Sequence, residues 1–251
     1  MNAPDQRKTF VLVHGAWQGG WAFAGVAELL RAQGHRVFTP TLTGLGERSH
    51  LAGRFPIDWR THVEDIANVI RWEELGDVIL CGHSYGGIVI SGVAEALPDR
   101  IAALVYLDAM LPEPGKSVFA MNKSAPLIDG LLRAASETGG QSVPPIPSAA
   151  FGTIATQRQR VDRLATPHPL ASFCVSVELS GGYLAVPRKT YVRATGWSGY
   201  EELGFHAYRT IADDDSWTKI DLAYGHELMF NAPEELAQLL LDTARPAPLA
   251  A

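Results

Sequence analysis

The chain has 251 residues, of which 47% are hydrophobic and 19% charged, with a formal net charge of −6. That length suits one large domain or a core carrying an insertion, and the acidic balance gives no electrostatic reason to expect nucleic acid or an anionic membrane as partner. The start, MNAPDQRKTF, lacks an apolar signal core, and the longest apolar segment, IAALVYLDAML, is short and contains an aspartate, so the expected location is cytoplasmic.

In chain order, TFVLVHG reads as a strand and WAFAGVAELLRAQG as a helix ended by Gly34. RVFTPTL is a second strand, and WRTHVEDIANVIRWEEL a helix ended by Gly76. An apolar strand then runs from Val78 into Gly82-His83-Ser84-Tyr85-Gly86, a helix follows from Gly87 to Ala96, and IAALVYLD is the next strand. This alternation predicts an α/β fold with a mostly parallel sheet flanked by helices. After Asp108 the rhythm breaks. Residues 111–187 contain nine prolines and short helical patterns such as APLIDGLLRAAS without a clear strand, which predicts an inserted, mainly helical cap. The core then comprises 1–110 and 188–251. It resumes with the strands KTYVRAT and WTKIDLA, and NAPEELAQLLLDTA closes it as a helix on which Asn231 and Glu234 are expected to form a capping box.

Ser84 stands between glycines at a strand-to-helix turn. Glycine tolerates the tight backbone approach there, and the turn lifts the serine oxygen clear of the sheet as a nucleophile. A serine hydroxyl needs a base, and His226 follows the last expected strand just before the final helix. His14 and His83 read as parts of their turns, and His35, His50, His62, His168 and His206 lie in helix, loop or cap positions. Asp108, at the end of its strand, is the expected acid that orients His226; an unpaired aspartate there would be costly if buried. Glu201 is the runner-up. Cys81 and Cys174 are expected as reduced thiols. The eight histidines show no metal-ligand spacing and no glycine-rich run cradles phosphates, so neither metal nor cofactor is expected.

FVLVHGAWQGGWAF, GHSYGG and YLDAMLP together resemble the α/β-hydrolase fold superfamily. Within it they resemble the group of plant methyl-ester esterases, hydroxynitrile lyases and bacterial pyrethroid-hydrolase-like carboxylesterases. The resemblance implies two oxyanion donors, the backbone amides of Tyr85 and Ala16, and puts Gly15, Trp17 and His83 around the substrate. Trp17 and Trp21 have core packing as an equal alternative. The chain departs from its relatives after KTYVRAT, where Gly196 and Trp197 stand in place of the usual aspartate. Lactone hydrolases of the superfamily that act on zearalenone are similar in taking their acid from the strand ending at Asp108.

The leading expectation is therefore a serine hydrolase of a small, largely apolar carboxylic ester or lactone, acting through an acyl-enzyme. A cofactor-free lyase of the hydroxynitrile lyase type is the alternative; those enzymes carry threonine where Gly15 stands and lysine where Glu227 follows His226. A non-catalytic small-molecule receptor on the same fold is a third reading. A small molecule is the expected partner, and the sequence leaves a homodimer open.

Overall fold

Period-two alternation in the strands sorts their side chains into two cores. In β1 (Thr9–Val13) Phe10 and Leu12 pack on one face, Val11 and Val13 on the other. Both faces are covered by helices, which is why the strands read as near-continuous apolar runs. The computed structural model describes residues 7–122, 124–199 and 207–244. After β1 come α1 (Ala24–Ala32), β2 (Arg36–Phe38), α2 (Trp59–Trp72), β3 (Val78–His83), α3 (Gly86–Ala96) and β4 (Ile101–Leu107). Asp58 caps α2 by accepting the Arg60 N–H, which satisfies one of the donors a helix start leaves free.

Residues 111–187 add α4 (Val118–Met121), α5 (Ala125–Glu137), β5 (Ser142–Val143), α6 (Ala155–Leu164), β6 (His168–Pro169) and α7 (Ala171–Cys174). β7 (Lys189–Ala194), α8 (Ala207–Thr210), β8 (Trp217–Leu222), α9 (Leu228–Asn231) and α10 (Pro233–Thr243) complete the described chain. Six strands form one sheet in the order β2-β1-β3-β4-β7-β8, with every neighbouring pair parallel. α1 and α10 pack in one core, α2 and α3 in the other. α3, which starts at the serine turn, is buried from Gly86 to Ala94.

Two expectations are corrected. The 111–187 stretch does contain strand: β5 and β6 pair antiparallel, Val143 opposite His168. Prolines 144 and 145 stop the first of them after two residues, because proline has no N–H to give a ladder. The capping box at Asn231 does not form. That residue ends α9; its Oδ1 accepts the Ile154 N–H at 2.9 Å and its Nδ2 donates to Gly152 O at 3.1 Å, while α10 starts beyond it at Pro233.

No helix among the described residues is long and apolar enough to cross a membrane. Both cysteines are free, Cys81 buried in β3 and Cys174 exposed.

Because all six strands are parallel, their carboxyl ends share one edge, where open α/β sheets place their ligands. His14 to Trp17 follow β1, Ser84 follows β3, Asp108 follows β4, Trp197 follows β7 and His226 follows β8. The fold has put these residues together on that edge.

Candidate active site

Three residues on this edge hold positive φ without being glycine: Trp17 at 63°, Ser84 at 54° and Asp108 at 41°. Such values cost about 1–3 kcal/mol each and persist only where the surroundings over-determine them. At Ser84 the turn is locked by the Ser84 N–H donating to Leu107 O at 3.2 Å and by Ser84 O accepting from Gly87 and Met110 N–H, each at 3.0 Å. A Cβ on Gly82 would stand 2.6 Å from Gly86 O, and one on Gly86 2.8 Å from Val13 O. Only glycine fits either side of this serine.

His226 lies beside the turn. Its ring centroid is 4.5 Å from that of His83, the residue before Ser84, and its carbonyl accepts from His83 Nε2 at 3.1 Å. Its Nδ1 is 2.6 Å from Asp108 Oδ2, with both side chains almost wholly buried. Asp108 also accepts the Ala194 N–H on Oδ1 at 3.0 Å and the Trp197 indole N–H on Oδ2 at 3.1 Å. Burial raises the Asp108 carboxyl, and the Ala194 and Trp197 donors pull it back toward the ionised form. Burial lowers His226, so the imidazole is neutral at neutral pH.

Beside Ser84 a small cavity of about 60 Å³ is lined by Ala16, Trp17, Tyr85 and Met110 from the core, and by residues of the 111–187 segment that include Phe119, Asn122, Leu131, Phe151 and Phe173. Asn122 is the one side-chain amide among the described lining residues, most of which are apolar. The backbone N–H groups of Ala16 and Tyr85 find no acceptor among the described residues. A wider groove of about 540 Å³ between β8 and α10, lined among others by Lys189, Glu235 and Asp242, lies away from Ser84 and His226.

Of the residues expected around the substrate, Trp17 reaches the cavity wall; Gly15, His83 and Trp21 do not. Gly15 packs against His83 and Ser84, where a Cβ would meet them at 2.8 and 2.9 Å. His83 is buried behind the turn and holds the His226 loop. Trp21 stacks on Phe230 at 5.9 Å. Glu201, Glu202 and His206 lie outside the described residues.

Sequence reasoning missed four participants. Trp197 donates to Asp108. His62 accepts the Tyr85 hydroxyl at 2.8 Å on Nδ1 and donates from Nε2 to Thr43 O at 3.0 Å, and burial lowers it to about 4. His168 lies against Tyr85, ring centroids 4.9 Å apart. Glu227 is buried and accepts from Gln18 Nε2 at 2.7 Å; burial raises it to about 7, with Gln18 opposing and Asp108 adding to the rise. Their partners lie 19 to 209 residues away, so no local signal pointed to them.

Residues 10–239 match the alpha/beta hydrolase family. The chain belongs to that family. This α/β hydrolase is of the esterase type. It is 41% identical over 239 residues to a carbendazim hydrolyzing esterase of Nocardioides sp. (strain SG-4G), covering 92% of this chain and 97% of the relative. It is 40% identical over 107 residues to a pyrethroid hydrolase of Sphingobium wenxiniae, covering 42% of this chain and 37% of that one. Among solved structures, an extracellular alpha/beta-hydrolase from a Paenibacillus species superposes with a TM-score of 0.81 at 26% identity, covering 95% of this hydrolase and 100% of the other chain. That protein is described as sharing structural and functional homology with tobacco salicylic acid binding protein 2.

Proposed function

We propose that the chain is a serine esterase that cleaves a small, neutral, largely apolar carboxylic ester or lactone, with Ser84 as nucleophile, His226 as base and Asp108 as the acid that orients it. The observation that carries this reading is the buried 2.6 Å contact between His226 Nδ1 and Asp108 Oδ2 beside the strained Ser84 turn. With Nδ1–H donated to Asp108, the other ring nitrogen is an acceptor, the tautomer a general base requires. His226 takes the Ser84 proton as the oxygen attacks the carbonyl carbon. The Ala16 and Tyr85 N–H groups receive the negative charge that develops on the carbonyl oxygen. Collapse of the tetrahedral species breaks the bond to the alcohol oxygen, which leaves with the proton from His226. Water then repeats the sequence on the acyl-enzyme and frees the acid.

Residues 111–187 act in this reading as a cap that supplies the apolar wall, so that only the carbonyl meets polar donors. The relative named for hydrolysing carbendazim supports a small-molecule substrate. The test is Ser84→Ala together with a serine-directed phosphonate, screened on short chromogenic esters, lactones and carbendazim. Covalent label on Ser84 alone and loss of at least a thousandfold in kcat support the mechanism; a variant keeping a tenth of the rate overturns it.

A further inference from the structure

Trp17 follows Ala16 in the loop after β1, and all three of its polar groups are held by the 111–187 segment. Its N–H donates to His168 Nδ1 at 3.3 Å, its carbonyl accepts the Thr166 N–H at 2.8 Å, and its indole N–H donates to Val143 O at 3.1 Å. Trp17 does this at a φ of 63°, in the left-handed region that a bulky side chain avoids. Something outside the loop must hold it there, and the structure provides these three hydrogen bonds together with ring contacts to Phe151, His168 and Phe173.

His168 is itself fixed. It is fully buried on β6, opposite Val143 of β5, and its ring stacks on Phe173 with centroids 4.3 Å apart and planes 4° from parallel. It cannot rotate without displacing Phe173, part of the cavity wall, or Tyr85, residue after the nucleophile. Its Nε2 is buried with no hydrogen-bond partner among the described residues. An apolar aromatic would stack as well without orphaning a polar atom, so the acceptor at Nδ1 is the property that distinguishes histidine at this position.

We propose that His168 is a positioning residue for the oxyanion site: by accepting the Trp17 N–H it sets the backbone of the loop that carries the Ala16 donor, and so couples the 111–187 segment to the rate of the chemical step. The proposal rests on the reading of Ala16 and Tyr85 as oxyanion donors. An oxyanion donor works only when it is aimed at the transition-state oxygen before the reaction begins. A loop freed at Trp17 leaves the nucleophile, base and acid intact and misaims one donor. The loss therefore falls on kcat, with substrate binding little changed.

The experiment compares His168→Phe, which keeps the stack and removes the acceptor, with His168→Asn, whose Oδ1 stands where Nδ1 does. With H168F, kcat should fall roughly 10- to 100-fold, the scale that a displacement near 1 Å produces, with KM within about threefold. Affinity for an alkyl boronic acid, which adds to the serine and mimics the tetrahedral species, should fall by a similar factor. H168N should return kcat to within about threefold of wild type on the same preorganisation argument. If H168F does not fold, His168→Leu against H168N makes the same comparison, since both lack the ring. An unchanged kcat in H168F, or equal losses in the acceptor-bearing and acceptor-free variants, overturns the proposal. Phosphonate labelling of Ser84 in the wild type separates the two readings: label with an unaffected H168F removes the positioning role of His168 and leaves the nucleophile, and no label removes both.

Discussion

Trp197 donates its indole N–H to Asp108 Oδ2 at 3.1 Å, from the loop position where related hydrolases were expected to carry the acid itself. The loop after β7 therefore still serves the acid, as donor. Its ring also lies 4.6 Å from that of His226, which makes one side chain a contact of both partners.

Asp108→Asn should keep the shape of the site and lower kcat by about 10³- to 10⁴-fold, because an amide in place of the carboxylate favours the wrong imidazole tautomer. Trp197→Phe keeps the ring contact and removes one of the three donors on Asp108, so a loss on the order of tenfold is expected. Steady-state kinetics on one ester decide both. Equal losses in the two variants would mean that Trp197 acts through the fold.

The pH profile follows from burial of His226. An imidazole of ordinary pKa would lose its base form between about pH 7 and 6. Here burial lowers the group, so the neutral ring persists to lower pH and the acid limb of kcat/KM is displaced below pH 6.5. A limb centred at pH 7 or above, with chemistry rate-limiting, would contradict the assignment of His226 as base.

Glu227 supplies a second, opposite pH effect, on stability. Its folded pKa is raised from 4.5 to about 7 by burial, so between these values the folded chain holds a proton that the unfolded chain has released. Stability from this group is full below about pH 4.5 and falls as pH rises to 7, by on the order of 3 kcal/mol at most. Glu227→Gln keeps an oxygen for Gln18 and removes the charge. Its Tm should exceed that of wild type at pH 8 and match it near pH 4.5, by thermal denaturation at both; an equal offset at both pH values would sink the linkage.

The cavity beside Ser84, at about 60 Å³, has room for roughly two water volumes. Each methylene buried there contributes about 0.8 kcal/mol, so two added carbons should raise kcat/KM roughly tenfold, and only until the space is full. Along a series from acetate to octanoate the gain should therefore end near butyrate. A steady rise to octanoate, or a preference for charged acyl groups, would remove the wall of the 111–187 segment from the specificity argument.

The meeting of Ser84, His226 and Asp108 at one sheet edge was legible because each is marked by its neighbours along the chain. A glycine-flanked serine between a strand and a helix, a histidine after the last strand and an aspartate ending an apolar strand are local patterns, and local backbone geometry follows from them. The six strands and the main helices were legible for the same reason, since period-two and helical spacing declare which face is buried. The capping box at Asn231 failed because its side chain found Gly152 and Ile154, a tertiary contact stronger than a local preference. Trp197 on Asp108, His62 on Tyr85, His168 on Trp17 and Gln18 on Glu227 were decided only by the tertiary structure. A buried polar atom must find a partner wherever the fold brings one within about 3 Å, and the chain sets no sequence spacing for where that partner comes from.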